Sequence, residues 1–393
     1  MPESKPIPAL LRAVRTRRPQ LLQQLEQLVC AESPTDDKPA VDAAGTLTAG
    51  WFQPAGATLR RHRQKAFGDL LELRFPARGV PKSAPPVMLL GHLDTVWPAG
   101  TLKRMPFRLA RSRAYGPGVL DMKAGVVMAL HAMETLQATG MSHPPVIVLL
   151  NSEEEVGSPV SRPVTEKLAQ GCRAVFVLEP AQGPQGAYKT ARKGVGDYTL
   201  RVTGVAAHSG VDFAKGHSAV LELARLLLRV AEFTDLKTGL TVNPGVIRGG
   251  TRVNVVAAAA EADVDVRIAR SRDAARIERM FRALRPTDRA CTLTITGGLN
   301  RPPMERTPAI AQLFHQAKAL AAGLGIALEE ASTGGGSDGN FTAALGIPTL
   351  DGMGACGEGA HADHESIELD SLVPRTALLA AMIHNLSVGG SPR

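Results

Sequence analysis

The most informative segment for the fold is Val87-Met88-Leu89-Leu90-Gly91-His92-Leu93-Asp94, an apolar run that ends in a histidine and an aspartate. The apolar run predicts a buried strand, and residues 146–150 predict a second one. Between them, residues 124–136 are apolar and rich in alanine, which predicts a helix. Strand, helix and strand in this order form a βαβ unit. We therefore expect an α/β fold with a mostly parallel sheet flanked by helices.

Two further patterns extend this prediction. Residues 174–178 form a third apolar run, and the segment before them, 163–169, has the character of a short helix. Near the N-terminus, apolar residues within 10–29 recur at helical spacings. Because a proline inside a helix removes a hydrogen bond, we expect a break at Pro19, with a second helix beginning there.

The middle of the chain has a different pattern. Apolar and polar residues alternate within 198–202 and 262–268, which predicts a sheet with one face in water. Two further segments have the spacing of amphipathic helices, namely 219–230 and 274–284. We therefore expect a discontinuous main domain at 1–195 and 299–393, and an inserted α+β domain at 196–298.

The composition is that of a globular protein. The chain has 393 residues, enough for two domains, with 44% hydrophobic and 21% charged residues. Its formal charge of +8 admits a nucleic-acid partner. The basic residues are scattered, however, and the sequence contains no motif for binding DNA or RNA. We therefore expect no nucleic-acid partner.

Cysteine usage and apolar run length bear on the cellular compartment. No apolar stretch approaches the about 18 residues of a membrane span, and the first residues lack the order of a signal peptide. The four cysteines are far apart and form no Cys-x-x-Cys pair, which predicts free thiols in a reducing compartment. We therefore expect a cytoplasmic protein with no membrane partner. These cysteines are Cys30, Cys172, Cys291 and Cys356.

His92 and Asp94 stand two residues apart at the end of the first apolar run. Residues with this spacing on a strand point to the same side. One interpretation is a metal-binding histidine whose other ring nitrogen is held by the carboxylate of Asp94. The alternative is a buried histidine paired with a structural aspartate. These two residues alone do not decide between the interpretations.

Further candidate ligands lie in glycine-rich segments. Asp121 follows Gly116-Pro117-Gly118 and opens a predicted helix. Its carboxylate suits either a bridge between two cations or a helix cap. Near the C-terminus, His361 and His364 are both candidate ligands, and their spacing does not choose between them.

Carboxylates also follow two of the predicted strands. Glu153-Glu154-Glu155 comes directly after the second apolar run, and three adjacent carboxylates repel one another unless cations or water relieve them. A solvated loop is the alternative interpretation. Glu179 ends the third apolar run and needs a partner if it is buried.

Together these residues favour a two-metal hydrolytic centre at strand ends. Such a centre needs one carboxylate on a metal ion and another that takes a proton from water, and adjacent glutamates supply both. The charges also balance, because two divalent cations carry four positive charges. Asp121, Glu155, Glu179 and one hydroxide cancel them.

The full motif set resembles a known family, the dinuclear zinc exopeptidases and deacylases. This family includes glutamate carboxypeptidase, acetylornithine deacetylase, succinyl-diaminopimelate desuccinylase and aminoacylase. The resemblance covers residues 85–385. It is greatest for the glutamate carboxypeptidase branch, through Tyr115-Gly116-Pro117-Gly118 and Thr333-Gly334-Gly335-Gly336-Ser337-Asp338.

The resemblance implies a role for each candidate ligand and two zinc ions per chain, with cobalt or manganese as alternatives. The main domain would be catalytic. Glu154 would be the general base and Asp94 would orient His92. His361, rather than His364, matches the last ligand of the family. The implied ligands are His92, Asp121 and Glu179 for one metal, and Asp121, Glu155 and His361 for the other.

The resemblance also assigns roles to residues outside the metal ligands. The inserted domain would act as a lid and would form a homodimer. His208 would donate to the oxyanion of the tetrahedral intermediate, within its own chain or across the dimer. Without the resemblance, we would interpret His208 as a surface histidine, and Arg267 and Arg301 as solvated surface charges. The implied substrate-binding residues are Arg267, Asn254, Arg301 and Gly335.

The implied reaction is hydrolysis of the amide bond next to a free C-terminal carboxylate. The substrate would be an N-acyl amino acid, a dipeptide or a folate-like conjugate. A deacylase of the aminoacylase or acetylornithine deacetylase type is the alternative, and a non-catalytic, metal-stabilised binding protein is a remote one. Ala187 stands where the glutamate-releasing relative carries a substrate-binding lysine, and Lys189 follows two residues later.

Overall fold

The computed structural model describes residues 6–388. The chain divides into two compact units. The first unit comprises Met1–Ala191, Arg306–Thr333 and Ser337–Arg393, and the second comprises Arg192–Glu305 and Gly334–Gly336. The predicted insert, 196–298, lies within the residues of the second unit. The catalytic and dimerisation roles of the two predicted domains stay predictions.

Helices occur in both units. Those of the described residues are α1 (Pro6–Cys30), α2 (Lys38–Phe52), α3 (Ala124–Thr139), α4 (Arg162–Ala169), α5 (Ala219–Ala231), α6 (Ala274–Arg282), α7 (Pro308–Ala322), α8 (Gly339–Ala344) and α9 (Leu369–Val388).

Within residues 6–388, the strands form a six-stranded sheet, two four-stranded sheets and a two-stranded sheet. They are β1 (Thr58–His62), β2 (Leu70–Phe75), β3 (Val87–His92), β4 (Arg108–Ala110), β5 (Arg113–Tyr115), β6 (Val146–Asn151), β7 (Ala174–Val177), β8 (Tyr188–Arg192), β9 (Gly194–Thr203), β10 (Thr241–Gly249), β11 (Ala259–Ile268), β12 (Thr292–Arg301), β13 (Glu330–Thr333), β14 (Thr349–Leu350), β15 (Gly357–Glu358) and β16 (Ser366–Glu368).

The central sheet of the first unit has the strand order β1-β2-β6-β3-β7-β14. The pairs β6–β3, β3–β7 and β7–β14 are parallel, whereas β2 is antiparallel to both of its neighbours. Every residue of β3 and β6 is buried, as expected for strands covered on both faces. The predicted α/β fold with a mostly parallel sheet is therefore confirmed.

Helix α1 continues through Pro19, so the predicted break at this residue is wrong. A proline inside a helix costs about 3 kcal/mol, because one hydrogen bond is lost and the ring crowds the preceding turn. Packing on both sides of Pro19 offsets this cost, since α1 lies against α3 and α9. The apolar side chains that α1 buries are Leu10, Val14, Leu21, Leu25, Leu28 and Val29.

The second unit contains an antiparallel sheet with the strand order β10-β11-β9-β12. Buried and partly exposed residues alternate along β11, which matches the predicted sheet with one wet face. Apolar residues of α5 and α6 join the core on the other face. Within this core the rings of Tyr198 and Phe281 stack, with centroids 3.9 Å apart.

Two global expectations concern cysteines and the membrane. All four cysteines are free thiols, and Cys30 is the exposed one. Among residues 6–388, no helix has both the length and the apolar character that crossing a bilayer requires.

Candidate metal centre

His92 is the last residue of β3 and pairs with Asn151, the last residue of β6. Its ring Nδ1 lies 2.9 Å from the main-chain oxygen of Asp94 and 3.3 Å from Oδ1 of the same residue. These two acceptors favour the tautomer that carries its proton on Nδ1, which leaves a lone pair on Nε2. Since His92 is 1% exposed, this lone pair is directed into the protein.

Two carboxylates face Nε2 of His92. Asp121 Oδ1 lies 3.3 Å from this nitrogen, and Glu179 Oε1 lies 3.6 Å from it. Glu179 follows β7, so a second parallel strand delivers its side chain to the same edge of the sheet. The potential ligand atoms of these three residues lie within 4.8 Å of one another.

A second cluster shares Asp121. His361 Nε2 lies 3.5 Å from Asp121 Oδ2 and 3.2 Å from Glu155 Oε2. Asp121 therefore directs one carboxylate oxygen to His92 and the other to His361. The ligand atoms of this second group also lie within 4.8 Å of one another.

The chemistry of these side chains fits divalent metal ions. Three of their buried atoms have no hydrogen-bond partner: His92 Nε2, Asp121 Oδ1 and Glu155 Oε1. Burying unpaired polar atoms costs free energy, and a cation in contact with them removes that cost. Imidazole nitrogen and carboxylate oxygen are also the ligand types of zinc hydrolases.

The carboxylates shift the pKa values of both imidazoles. Hydrogen bonds to Asp121 and Glu155 raise the pKa of His361 to about 10. Burial alone would lower the pKa of His92, but its carboxylate neighbours, led by Asp121, raise that pKa well above the ordinary value. Protons therefore compete with cations for these nitrogens.

The three adjacent glutamates have different environments. Glu153 is fully buried, and its carboxylate accepts a 2.6 Å hydrogen bond from the main-chain N–H of Ser161. Glu155 faces His361 at the second cluster. Glu154 lies between them at the start of a 3-10 turn and is partly exposed. Of the three, Glu153 therefore has a structural role.

Asp94 contacts both His92 and the turn that begins at Glu154. Its two carboxylate oxygens accept hydrogen bonds from the main-chain N–H groups of Glu154 and Glu155, each at 3.2 Å. The hydroxyl of Thr35 donates to the same carboxylate at 2.8 Å. Asp94 thus holds the turn carrying Glu154 close to His92.

A further carboxylate holds the segment that carries Asp121. Glu365 is 1% exposed and accepts hydrogen bonds from the main-chain N–H groups of Gly118, Leu120 and Asp121. Gly118 has the left-handed φ of 69°, and the peptide bond from Asp121 to Met122 is cis. Sequence reasoning missed Glu365, because no pattern separates it from other acidic residues nearby.

Two glycines, Gly125 and Gly354, allow their own main-chain segments to approach Leu178, the residue before Glu179. The N–H of Gly354 donates to the carbonyl of Glu179 at 2.9 Å. A Cβ atom at Gly354 would lie 2.3 Å from the carbonyl oxygen of Leu178, and one at Gly125 would lie 2.1 Å from the same oxygen. No larger residue fits either position without a shift of the main chain.

The structure distinguishes the two C-terminal histidines. His361 has a φ of 63° and its ring faces Asp121 and Glu155. His364 is exposed and belongs to neither cluster. Of these two histidines, His361 lies among the candidate ligands, and its role as a metal ligand stays a prediction.

The remaining predicted site residues belong to the second unit. His208 is exposed, and its Nδ1 accepts hydrogen bonds from the main-chain N–H groups of Gly210 at 3.1 Å and Val211 at 3.2 Å. Its neutral ring therefore carries the proton on Nε2. The carbonyl of Asn254 accepts a 3.1 Å hydrogen bond from the N–H of Ser209, which brings Asn254 beside His208 in the second unit.

The two predicted substrate-binding arginines belong to the second unit. The guanidinium of Arg267 donates to both carboxylate oxygens of Asp265 at 2.7–3.0 Å, and its Nη1 lies 3.5 Å from the carbonyl oxygen of Gly334. Arg301 is 5% exposed at the end of β12. Gly335 is exposed, and its carbonyl accepts a 3.2 Å hydrogen bond from Arg192.

Clusters of imidazoles and carboxylates beside the carboxyl ends of parallel strands are typical of metal-dependent hydrolases. Residues 88–385 match the peptidase family M20/M25/M40, so the chain belongs to this family and is a peptidase or amidohydrolase.

Individual relatives agree with this assignment. Carboxypeptidase G2 from Pseudomonas sp. (strain RS-16) is 28% identical over 390 residues, covering 97% of this chain and 92% of that protein. Acetylornithine deacetylase from Salmonella heidelberg (strain SL476) is 28% identical over 240 residues, covering 56% of this chain and 60% of that protein. The crystal structure of aminopeptidase PepT from Bacillus cereus ATCC 10987 shares the fold, with a TM-score of 0.79, 21% identity, and coverage of 94% of this chain and 98% of that one.

Proposed function

We propose that this protein is a dinuclear zinc hydrolase that cleaves the amide bond next to a free C-terminal carboxylate. The observation that carries the proposal is the position of Asp121, whose two oxygens face His92 and His361. His92, Asp121 and Glu179 would hold one ion, and Asp121, Glu155 and His361 the other, with cobalt or manganese as alternatives to zinc. When bound, the ions would polarise the substrate carbonyl and lower the pKa of water.

Glu154 would be the general base and later the acid that protonates the leaving amine. Asp94 supports this role, because it accepts the main-chain N–H of Glu154 and also lies beside Nδ1 of His92. Asp94 would thus position both the general base Glu154 and the metal ligand His92. A positioned general base contributes about 10²- to 10⁴-fold to a hydrolytic rate.

Residues of the second unit would bind the substrate. His208 would donate from Nε2 to the developing oxyanion, and its hydrogen bonds to Gly210 and Val211 support the required tautomer. It would act either within its own chain or across a dimer. Arg267 and Arg301 would bind the substrate carboxylate through their guanidinium groups, with contributions from Asn254 and Gly335.

The preference for a glutamate side chain is a separate question. Ala187 is buried where a substrate-binding lysine would be expected. Lys189 is 5% exposed, and its ammonium lies 3.8 Å from Asp351 within the first unit. This arrangement does not support a strict preference for glutamate. The alternative function is an N-acyl-amino-acid deacylase of the aminoacylase or acetylornithine deacetylase type.

A homodimer formed by the second unit and a cytoplasmic location complete the proposal. The dimer is supported by large apolar side chains that the second unit exposes. They include Val211, Phe213, Leu221, Leu228, Ile247 and Val253. The free thiols of the chain support a reducing compartment.

The proposal can be tested with metal analysis and a substrate panel. We expect two metal ions per chain by mass spectrometry, and hydrolysis of N-acyl-glutamate, N-acyl-alanine or dipeptide substrates. Glu154→Gln should lower kcat by about 10²- to 10⁴-fold and retain both ions. Preference for one acyl amino acid over the others would decide between the carboxypeptidase and the deacylase.

The matched control is Glu166→Gln, which removes a helix carboxylate that pairs with Arg162. This variant should keep full activity. One metal ion or none in the wild type, or full activity in Glu154→Gln, would contradict the proposed mechanism.

A further inference from the structure

The carboxylate of Glu365 has all of its acceptor positions occupied. Its Oε1 accepts the main-chain N–H groups of Leu120 at 2.8 Å and Asp121 at 3.1 Å. Its Oε2 accepts the N–H of Gly118 and the indole N–H of Trp97, both at 2.8 Å. Each oxygen therefore accepts two hydrogen bonds, which is the full capacity of a carboxylate.

Gly118, Leu120 and Asp121 lie at the start of an irregular helical turn, Val119–Lys123, and the first N–H groups of a helical turn have no partner within it. Gly118 is left-handed, and Asp121 has a φ of −114° and a ψ of 94° within an otherwise helical turn. Converging N–H groups form a site for an anion, and hydrogen bonds to a charged acceptor are stronger than those to a neutral one. The carboxylate thus fixes the main chain from which the Asp121 side chain extends.

Glu365 also fastens the turn that carries His361. Its own N–H donates to the carbonyl of Ala362 at 2.8 Å, and its carbonyl accepts the N–H of Gly116 at 3.4 Å. One residue therefore joins the segment carrying Asp121 to the turn carrying His361. These two segments supply Asp121 and His361, two of the three candidate ligands of the second cluster.

We propose that Glu365 is a positioning residue. It holds Asp121 between the two clusters of candidate ligands and thereby sets the affinity for both metal ions. This inference rests on the proposed dinuclear centre. Glu365 is not itself a ligand, because its two oxygens are filled by N–H donors. Its contribution reaches the metals only through the main chain of Asp121 and the turn of His361.

Glu365→Gln is the direct test. The variant keeps the shape of the side chain but directs an NH2 group toward two N–H donors. Partners that hold metal-binding groups typically contribute about 10- to 100-fold to metal affinity, so we expect a loss of about this size. The measurement is titration of chelator-treated protein with Zn²⁺ against a chromophoric chelator, with Co²⁺ absorption as a report of ligand geometry.

A purely structural role would give a different result in thermal unfolding. If Glu365 acted only on the fold, the Tm of the metal-free and the metal-loaded proteins would fall equally. We expect the difference between these two Tm values to shrink in Glu365→Gln. Unchanged Zn²⁺ affinity and an unchanged Tm difference would overturn the inference and leave a two-metal wild type, and hence the proposed function, intact. A wild type that binds no metal would overturn both.

The second unit offers a matched control in Glu222. This carboxylate is fully buried and accepts the main-chain N–H groups of Thr287 at 2.6 Å and Asp288 at 3.1 Å. Glu222→Gln should lower the Tm and leave Zn²⁺ affinity unchanged. An equal loss of affinity in this variant would show that any buried carboxylate has the effect, and would overturn the specific role of Glu365.

Trp97→Phe covers the case in which Glu365→Gln does not fold. Phenylalanine keeps an aromatic ring at this buried position and removes one of the four donors to Glu365. We expect Zn²⁺ affinity to fall several-fold, with the same change in the Co²⁺ spectrum on a smaller scale. Wild-type affinity together with a wild-type spectrum would again overturn the inference.

Discussion

The two oxygens of Asp121 face two different histidines, His92 and His361. Asp121 therefore raises the pKa of both imidazoles. The carboxylates of Asp121 and Glu155 raise the pKa of His361 to about 10 in the metal-free protein. At neutral pH the ring therefore binds a proton. A cation must displace that proton in order to contact Nε2.

We predict that metal binding at pH 7 releases at least one proton per chain. Because the pKa of His361 lies above the working pH, raising the pH toward 10 should strengthen apparent metal affinity, by about tenfold per pH unit for each displaced proton. Calorimetric titration in buffers of different ionisation enthalpy measures the number of protons released. His364→Ala, three residues away and outside both clusters, is the control and should release as many protons as the wild type. A release that does not depend on His361 would contradict this explanation.

At the level of single residues, the sequence could indicate which side chains lie together where each follows a strand, while their roles as metal ligands stay predictions. His92 and Glu179 follow apolar runs, and parallel strands bring their carboxyl ends to one edge of a sheet. Glu365 could not be found in this way, because its partners are main-chain N–H groups about 245 positions earlier in the chain. The pairing of Arg267 with Asp265 likewise depends on rotamers that the sequence does not reveal.

At the level of elements, α3 packs closely against the main chain that precedes Glu179. Gly125 lies in this helix, and a Cβ atom there would lie 2.1 Å from the carbonyl oxygen of Leu178. That residue directly precedes Glu179. The approach of α3 to the end of β7 therefore depends on the absence of a side chain at position 125.

Gly125→Ala should destabilise the protein by about 1–3 kcal/mol, because the helix must move away from β7. It should also weaken metal binding through Glu179. Gly50 in α2 is a matched control, since nothing lies within 4 Å of a Cβ atom at that position. Gly50→Ala should stabilise the protein by about 0.5–1 kcal/mol. Chemical denaturation of both variants measures these changes, and equal effects would refute the packing argument.

Pro19 shows why element boundaries are harder to predict than element types. The apolar periodicity of 10–29 correctly indicated helix, but the proline suggested a break that the structure does not have. The deciding contribution is tertiary, because α3 and α9 bury apolar residues on both sides of Pro19. A rule based on local sequence does not include that contribution.

Pro19→Ala should therefore stabilise the protein. The substitution restores a main-chain N–H inside a helix whose packing is already complete, and we expect a gain of about 1–3 kcal/mol in the free energy of unfolding. Thermal or urea denaturation measures this gain. A loss of stability would mean that Pro19 is required for the path of α1.

For the whole molecule, the apolar surface of the second unit predicts the oligomeric state. Leu221 and Leu228 on α5 are 57% and 72% exposed. We expect a homodimer at micromolar concentration in sedimentation experiments. Replacing both leucines with aspartate should give a monomer, because charged groups oppose burial in an interface. The control is Leu109→Asp, which changes a leucine of the first unit that is 52% exposed and should leave the dimer intact. A monomeric wild type would exclude the proposed dimer.

The order of the two units along the chain has a consequence for synthesis on the ribosome. Residues 192–305 of the second unit are continuous, whereas the central sheet of the first unit takes β14 from residues that follow them. During translation the second unit can therefore fold while the first still lacks a strand. His361 emerges later still, so a nascent chain gains this candidate metal ligand only after residues 192–305 have been synthesised.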